Sequence, residues 1–224
     1  MSTIETPSRG LFLTFEGPDG SGKSTQMRLL AERLRREGHH VLESAEPGGT
    51  PIGIQIRRIL LDPANQELCP TAELLLMFAA RAQNVAQWIL PALQAGRIVL
   101  SDRFTDSTLV YQGVCRGLGA DLVLQVDRIA CRGLRPDLTI CVDIDTAAGL
   151  ARAHARNRGA SGAQESRLDE QAIEFHYQAR AAYLDLAAAE PERVKLVDGG
   201  AAPETVAERV WRHIAPILRS ARVA

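Results

Sequence analysis

The sequence is poor in several features that would assign it to other classes of protein. Its four cysteines are far apart and form no Cys-x-x-Cys pair, so we expect neither a zinc ribbon nor a dithiol redox motif. No apolar run approaches the roughly 20 residues that a membrane-spanning helix needs. The net charge of -1 gives no overall field for nucleic acid or anionic lipid. We therefore expect no nucleic-acid or membrane partner, and any anion site must come from local groups of arginine.

The length of the chain and its first residues set two further expectations. With 224 residues, the chain is long enough for one globular domain with a sizeable core, and we expect a single domain over residues 1–224. The first ten residues lack the basic-then-apolar order of a signal peptide. We therefore expect a cytoplasmic protein.

Short apolar runs alternate with longer helical patterns along the chain. Runs rich in β-forming residues predict strands at residues 11–16, 41–45, 98–102, 138–143 and 194–198. Apolar residues at spacings of three and four predict helices at residues 24–37, 71–93, 122–132, 146–156, 170–189 and 203–218. Strands without strict alternation, joined by helical crossovers, predict a doubly wound α/β fold. In this fold a mainly parallel, five-stranded sheet carries helices on both faces.

The stretch GPDGSGKS, residues 17–24, matches the Gly-x4-Gly-Lys-Ser/Thr pattern of a phosphate-binding loop and lies between a predicted strand and a predicted helix. The glycines let backbone amides surround a phosphate, Lys23 can reach its oxygens, and the Ser24 hydroxyl can ligate magnesium. Lysine is otherwise scarce, since Lys195 is the only other one. The expected ATP-binding residues are Gly17, Pro18, Asp19, Gly20, Ser21, Gly22, Lys23, Ser24 and Thr25.

This loop indicates a mononucleotide but names no reaction, because GTPases, transport ATPases, regulators and small-molecule kinases all use it. Polar stretches follow two of the other predicted strands, EPGGT at residues 46–50 and DRFTDSTLVYQG at residues 102–113. Ligands of an open α/β sheet bind beyond the carboxyl ends of its strands, so both stretches should face the same crevice as the phosphate loop. We therefore expect an acceptor site within residues 46–113.

Together with IRRILLD, ELLLMFAARAQ, RGLG, RPDLTICVDID and SRLDEQ, these stretches resemble the thymidylate kinase family in order and spacing. The family transfers the γ-phosphoryl group of ATP to dTMP, giving dTDP and ADP, in dTTP biosynthesis. The resemblance implies a P-loop NTPase fold of the nucleoside monophosphate kinase kind, with ATP and dTMP as substrates and Mg²⁺ as cofactor. It also implies a homodimer packed through helices.

The resemblance assigns roles to residues near the reacting phosphates. Asp102, with Ser24, corresponds to the position near magnesium, and Arg103 to the arginine that holds the dTMP phosphate. A planar guanidinium suits a phosphate dianion. Arg57 matches a second arginine on the same phosphate, although the adjacent Arg58 leaves an ambiguity of one residue.

The resemblance also assigns two acids to the sugar. Asp19 corresponds to a residue that orients the 3′-hydroxyl or assists phosphoryl transfer, and it joins the expected catalytic set with Lys23, Asp102 and Arg103. Glu46 would support the same sugar and a magnesium-linked water. Either acid could instead merely cap a turn.

Further positions match residues that contact the base and the deoxyribose. Arg81, placed inside an apolar helix, corresponds to the residue that bonds a thymine carbonyl; a buried guanidinium needs a partner, so an ion pair within the protein is the alternative. Thr108 and Gln112 match positions on the base edge, and Tyr111 matches a ring beside the sugar, where it can hinder a 2′-hydroxyl.

Two positions depart from the family pattern. The family usually places an aromatic residue on the base four positions before the thymine-binding arginine, and here that position is Met77, with Phe78 one later. Either side chain could pack on thymine. Ala45 stands where the family often has an arginine before Glu-Pro-Gly-Gly, so we expect one supporting ion pair to be absent.

Phosphoryl transfer needs more positive charge than Lys23 and one magnesium ion supply. Some thymidylate kinases carry an arginine in the phosphate loop, where this chain has Gly20, and others supply it from a lid. We expect the second arrangement, with a lid at about residues 156–168. Arg156 or Arg158 would reach the transferred phosphate, and Arg167 would make supporting lid contacts; each could instead be a solvated loop residue.

Two alternatives stay open at this point. The chain could be a kinase for dUMP or for a monophosphate with another base. It could also be a P-loop regulator that binds nucleotide as a switch, although it has no Asn-Lys-x-Asp motif for reading guanine.

Overall fold

The structure is a computed structural model that describes residues 9–157, 167–168 and 171–221. Within these residues, strands and helices alternate as the apolar pattern predicts. The strands are β1 (Phe12–Glu16), β2 (Val41–Ala45), β3 (Ile98–Asp102), β4 (Leu138–Asp143) and β5 (Val194–Asp198). The helices are α1 (Lys23–Arg36), α2 (Pro51–Leu61), α3 (Pro70–Asn84), α4 (Leu90–Gln94), α5 (Thr105–Thr108), α6 (Ala120–Cys131), α7 (Thr146–Asn157), α8 (Ile173–Ala189) and α9 (Pro203–Ala221).

The five strands form one sheet in the order β2-β3-β1-β4-β5. Every neighbouring pair is parallel, with Phe12 opposite Val99 and Thr139 opposite Val194. The prediction of a five-stranded sheet is confirmed, and the pairing of the described strands is wholly parallel. Parallel strands need crossover connections, which the helices between them provide.

Apolar side chains cover both faces of the sheet. On one face, α1 and α9 pack against the strands through residues such as Leu34 and Ile214, both fully buried. On the other face, α3 and α6 pack through residues such as Leu74 and Val123. The predicted doubly wound arrangement is thereby confirmed.

The helix expected at residues 71–93 is wound in three segments. The α-helix α3 gives way to a π-helical turn, Val85–Ile89, before α4. Pro91 has no N–H to donate to the preceding turn, and its ring would clash with a carbonyl four residues earlier in a regular helix. A π-helical turn immediately before a proline relieves that conflict, because it widens the helix.

Two stretches that were not predicted as helices are helical. In α2, the Thr50 hydroxyl caps the first turn by accepting a hydrogen bond from the Gly53 amide at 2.9 Å, and Pro51 occupies the first helical position. The helix α5 continues as a π-helical segment, Leu109–Cys115. Both elements follow the carboxyl ends of strands, where they contribute to the site.

No helix in the described part of the chain is both long and apolar enough to cross a membrane.

Candidate active site

The phosphate loop connects β1 to α1 and lies against the amino terminus of α1. Gly22 has a left-handed backbone, with φ of 98°, which lets the chain turn into the helix at Lys23. The Lys23 ammonium donates hydrogen bonds to the carbonyl oxygens of Gly17 and Pro18 at 3.0 and 2.7 Å. Burial, with the nearby Arg103 charge, lowers the pKa of Lys23 to about 8. The loop therefore presents helix amides and one buried cation at the same point.

Gly20 cannot carry a side chain where it lies. Its φ is +72°, and a Cβ atom would lie 1.9 Å from the carbonyl oxygen of Gly149 in α7. Conversely, a Cβ on Gly149 would lie 2.6 Å from the carbonyl oxygen of Asp19. The loop and α7 thus touch backbone to backbone, which excludes an arginine at position 20.

A large open cavity lies over the phosphate loop, and we call it the donor cavity. Its volume is about 1090 Å³. Residues 19–25 of the loop line it, together with residues that the sequence reading missed: Arg152 on α7, and Gly199, Ala201, Pro203 and Val206 at the β5–α9 connection. The expected loop residues Gly17 and Pro18 instead hold Lys23 through their carbonyls. The residues that were missed lie on helices and loops and belong to no sequence motif. No local pattern in the sequence could therefore identify them as part of the cavity.

Ser24 and Asp102 meet at the edge of the donor cavity. The Ser24 hydroxyl donates to Asp102 Oδ2, and Asp102 is the last residue of β3. Among the described residues, no group of three or more His, Cys, Asp or Glu could hold a metal ion by itself. The pair supplies two oxygen ligands, which suits a cation that takes its remaining ligands from phosphate and water.

A smaller cavity of about 120 Å³ lies beside the first, and we call it the acceptor cavity. It is lined by eight of the residues expected to bind dTMP: Glu46, Arg57, Met77, Arg81, Arg103, Thr108, Tyr111 and Gln112. Asp19, Pro47, Leu61, Ser107 and Leu168 complete its wall. The phosphate loop, α2, α3, α5, the π-helical segment Leu109–Cys115, neighbouring loops and Leu168 supply these residues. The fold thus gathers widely separated segments around one small space.

Arg81 is almost fully buried, with 2% of its surface exposed, at the wall of the acceptor cavity. Its Nε donates to Glu46 Oε2, and its Nη2 donates to the Phe104 carbonyl at 3.0 Å and to Thr108 Oγ1 at 2.9 Å. Nη1 is buried and has no hydrogen-bond partner within the described chain. The ion pair that was the alternative for Arg81 is therefore present, and one donor remains available to a ligand.

Arg103 lies at the junction of the two cavities. Its φ of 71° is unusual for a residue with a side chain, and it turns the chain sharply after β3. The guanidinium donates to Asp19 Oδ1 at 2.5 Å and to the hydroxyls of Ser107 and Tyr183 at 2.9 and 3.0 Å. Burial alone would raise the pKa of Asp19, but Arg103 and Lys23 hold it below its ordinary value. Asp19 is thus an ionised acceptor beside a fixed cation.

A buried carboxylate behind Arg103 was not recognised from the sequence. Glu16, the last residue of β1, is fully buried and accepts hydrogen bonds from the Phe104 amide at 2.7 Å and from Ser107 Oγ at 2.5 Å. Burial, with the nearby Asp106, raises the pKa of Glu16 to about 7. The Tyr183 hydroxyl also donates to it, at 3.2 Å. A polar residue ending an apolar strand just before the phosphate loop was the available signal.

The two cavities share a wall. Asp19, Glu46, Pro47, Arg57 and Arg103 line both of them. A space that suits a triphosphate therefore opens directly onto a small polar pocket.

Comparison with known proteins identifies the family to which the chain belongs. A family model described as thymidylate kinase matches residues 15–210. The chain belongs to the thymidylate kinase family. The family, the fold class and the kinase activity implied by the sequence motifs are thereby confirmed.

Individual thymidylate kinases are similar to the chain over almost its whole length. The enzyme of Syntrophotalea carbinolica is 49% identical over 89% of this chain and 93% of its own length. The enzyme of Geobacter sulfurreducens is 49% identical over 90% of this chain and 94% of its own. The crystal structure of thymidylate kinase from Ehrlichia chaffeensis is 30% identical, covers 92% of this chain and 99% of its own, and has a TM-score of 0.74.

The sequence left two pairs of alternatives, Met77 or Phe78 and Arg57 or Arg58, and the structure shows where each of these side chains lies. Met77 lines the acceptor cavity, whereas Phe78 lies in the core with 2% exposure and has its ring 4.7 Å from the Arg81 guanidinium. Phe78 therefore supports Arg81 from behind and is not among the described residues of the cavity wall. Arg57 lines both cavities and donates to the Pro47 carbonyl at 2.9 Å, whereas Arg58 is exposed.

The three arginines predicted for the lid differ in how much of each the structure describes. Arg158 and the side chain of Arg156 lie outside the described residues. Arg167 is 1% exposed, and its guanidinium donates to Glu73 Oε2 at 2.6 Å and to the Leu60 carbonyl at 2.5 Å. The alternative of a solvated loop residue is therefore wrong for Arg167, because an ion pair with Glu73 holds it in the interior.

Proposed function

We propose that the chain transfers the γ-phosphoryl group of ATP to dTMP, giving dTDP and ADP, across the wall shared by the two cavities. ATP occupies the donor cavity with its phosphates on the loop, and dTMP occupies the acceptor cavity. The observation that carries this proposal is that Asp19, Glu46, Arg57 and Arg103 line both spaces. An in-line transfer requires the two phosphates to meet at such a point.

On the donor side, we propose that the loop residues 17–25 bind ATP mainly through backbone amides. The amino terminus of α1 contributes partial positive charge where the phosphates lie. Lys23 exchanges its hydrogen bonds to the Gly17 and Pro18 carbonyls for phosphate oxygens. Phosphate charge around the ammonium would raise the pKa of Lys23 again and keep it cationic.

On the acceptor side, Arg103 and Arg57 hold the dTMP phosphate. The base lies deeper, where the unpartnered Nη1 of Arg81 donates to a thymine carbonyl. Met77 packs its flexible thioether on the base, where the family has an aromatic ring. Thr108 and Gln112 lie along the base edge, and Tyr111 lies beside the sugar.

Asp19 orients the acceptor. Its carboxylate accepts hydrogen bonds from Arg103 and, at 3.1 Å, from the Tyr111 hydroxyl. It therefore links the phosphate-binding arginine to the residue beside the sugar. Fixing the acceptor oxygen near the transferred phosphorus contributes to catalysis through positioning. Glu46, paired with Arg81, supports the same sugar.

Magnesium fits the Ser24–Asp102 pair. A hydroxyl and a carboxylate at the end of the phosphate loop are the oxygen ligands that magnesium takes alongside substrate phosphates and water. When bound, the ion neutralises charge on the phosphate oxygens. The chain's own contribution is to hold these two oxygens in contact at the edge of the donor cavity.

The remaining positive charge comes, in this proposal, from Arg156 or Arg158. The backbone contact between Gly20 and Gly149 supports it, because an arginine in the loop itself has no room. The helix α7, which makes that contact, leads directly to these arginines. Arg167, at the other end of the lid region, fixes its point of attachment to α2 and α3 through the Leu60 carbonyl and Glu73.

We further propose that the chain forms one kinase domain, acts in the cytoplasm and pairs with a second copy through helices. Large apolar side chains are exposed on α2, α3 and α6: Ile52, Ile59, Leu75, Leu122, Leu124 and Ile129, the last with 82% of its surface exposed. Burying them on a second copy would be favourable. Sedimentation that gives the mass of one chain would contradict the homodimer.

Turnover on a panel of nucleoside monophosphates with ATP and magnesium tests the function. We expect dTMP to be phosphorylated far faster than AMP, CMP or GMP, with ADP formed in equal amount. A rate on dTMP no better than on AMP or CMP would favour a kinase for another base. Nucleotide binding without dTMP-dependent ADP formation would favour a regulator.

A further inference from the structure

A second buried carboxylate lies behind the acceptor cavity, on α3. Glu73 has no exposed surface and is not among the residues that line either cavity. Its Oε1 accepts a hydrogen bond from Gln112 Nε2 at 2.8 Å, and its Oε2 accepts one from Arg167 Nη2 at 2.6 Å. Arg116 adds longer contacts of 3.3 and 3.4 Å, one to each oxygen.

These partners keep Glu73 ionised. Burial alone would raise the pKa of the Glu73 carboxyl, but the hydrogen bonds from Gln112 and Arg167 and the charge of Arg116 hold it below its ordinary value. An ionised carboxylate only accepts hydrogen bonds. Whatever group faces Glu73 must therefore be a donor.

This requirement determines the orientation of the side-chain amide of Gln112. A glutamine side chain offers a donor and an acceptor that can exchange places by rotation of the amide. Because Glu73 accepts only, the NH₂ group of Gln112 must face it. The amide oxygen is then the group that Gln112 offers to the acceptor cavity, whose wall it forms.

The cavity therefore presents a defined pair of polar groups. Arg81 Nη1 is a donor without a partner in the described chain, and Gln112 Oε1 is an acceptor. Thymine carries a carbonyl at position 4 and an N–H at position 3, which match a donor followed by an acceptor. Cytosine carries an amino group and an unprotonated nitrogen at these positions, which oppose both.

We propose that Glu73 is a specificity-determining residue that acts through Gln112, by holding its amide so that the site accepts a 4-oxo pyrimidine and rejects a 4-amino pyrimidine. The proposal rests on the proposed function, because it takes the base of a pyrimidine monophosphate to occupy the acceptor cavity. Glu73 touches no substrate in this account and is a positioning residue.

The substitution Glu73→Gln should reverse the orientation of the Gln112 amide. It hardly changes the size or shape of the side chain at position 73. Arg167 is buried, and its short bond requires an oxygen at the Oε2 position. The new NH₂ group must then take the Oε1 position, facing Gln112. Arg116, with a fifth of its side chain exposed, can turn its guanidinium to solvent. The Gln112 amide has to rotate, and it then offers a second donor to the base.

The test compares kcat/KM for dTMP and for dCMP in the wild type and in Glu73→Gln. We expect the ratio of the two values to fall by about ten- to a hundredfold in the variant, mostly through a higher KM for dTMP, as for a lost buried hydrogen bond. The matched control is Arg116→Gln, which removes a charge beside Glu73 but leaves the bond to Gln112. It should leave the ratio at the wild-type value, whatever it does to the melting temperature.

A double-variant cycle separates this role from a general loss of stability. In Gln112→Met the acceptor is gone, so adding Glu73→Gln should change the ratio no further. If Glu73→Gln does not fold, Glu73→Asp provides the same comparison, because it keeps the charge near Arg167 and withdraws the carboxylate from Gln112. An unchanged dTMP-to-dCMP ratio in a folded variant overturns the inference. A wild type that does not prefer dTMP overturns the proposed function instead.

Discussion

The donor and acceptor cavities adjoin, but they are built in different ways. The donor cavity is about 1090 Å³ and open, and one continuous loop supplies its phosphate-binding part through backbone amides and a single lysine. The acceptor cavity is about 120 Å³, and side chains from several elements form it, with carboxylates paired to most of its cations. A phosphate-binding site needs a turn and the amino terminus of a helix. Selecting one base instead needs side chains whose positions are fixed before the base binds.

The largest expected effect comes from breaking the donor side alone. We expect Lys23→Ala to lower kcat by about a thousandfold or more, because the only cation of the loop no longer reaches the phosphates. The dissociation constant for dTMP, measured by calorimetry, should stay close to that of the wild type. Lys195→Ala, at the only other lysine, is the matched control and should keep full activity. If Lys23→Ala weakened dTMP binding by as large a factor as it lowered kcat, the donor and acceptor cavities would not act independently.

The next effect comes from breaking the acceptor side alone. Arg81→Met keeps the length of the side chain but removes the donor to the base, and we expect KM for dTMP to rise by about a hundredfold while KM for ATP stays unchanged. The variant should also lose about 3–5 kcal/mol of stability, because Glu46 becomes a buried charge without its cation.

Two comparisons separate these losses for Arg81. Adding Glu46→Gln to Arg81→Met should restore much of the melting temperature but none of the dTMP affinity. Arg58→Met, at an exposed arginine of α2, should change neither quantity. Recovery of dTMP affinity in the double variant would mean that Arg81 only neutralises Glu46.

The smallest effect concerns Glu16, which lies behind Arg103 of the shared wall, and is a dependence of stability on pH. The pKa of Glu16 is about 7 in the folded chain, against an ordinary value of 4.5, so the folded state holds this proton more tightly than the unfolded state. The contribution of Glu16 to stability therefore decreases as the pH rises from about 4.5 to about 7, by about 2–3 kcal/mol. In Glu16→Gln this part of the pH dependence should be missing from urea unfolding curves. Identical slopes for the two proteins would exclude a raised pKa.

The contrast between the donor and acceptor cavities also explains which features could be predicted from the sequence. All five strands and the phosphate loop were predictable, because each depends on a short local pattern. The helix α2 was missed although Thr50 and Pro51 carry a cap signal, because its arginines and leucines were considered only for their place in a motif. The resemblance to a family identified most residues of the acceptor cavity, and their position in the chain alone would not have done so.

The partners of these residues could not be predicted. Glu16, Glu73 and Tyr183 contact site residues that lie 39 to 94 positions away along the chain. Such pairs form because a buried carboxylate needs donors, and the fold decides which donors are near. Arg152 was missed for a similar reason, since only the packing of α7 brings it to the donor cavity.

The contact between Gly20 and Gly149 makes two distant positions depend on each other. Because each lacks a side chain only where the other backbone lies close, neither can be replaced by a larger residue while its partner stays in place. A relative that carries a large residue in the loop must hold the helix corresponding to α7 farther from it. The separation between loop and helix therefore decides which of the two can supply an arginine to the phosphates.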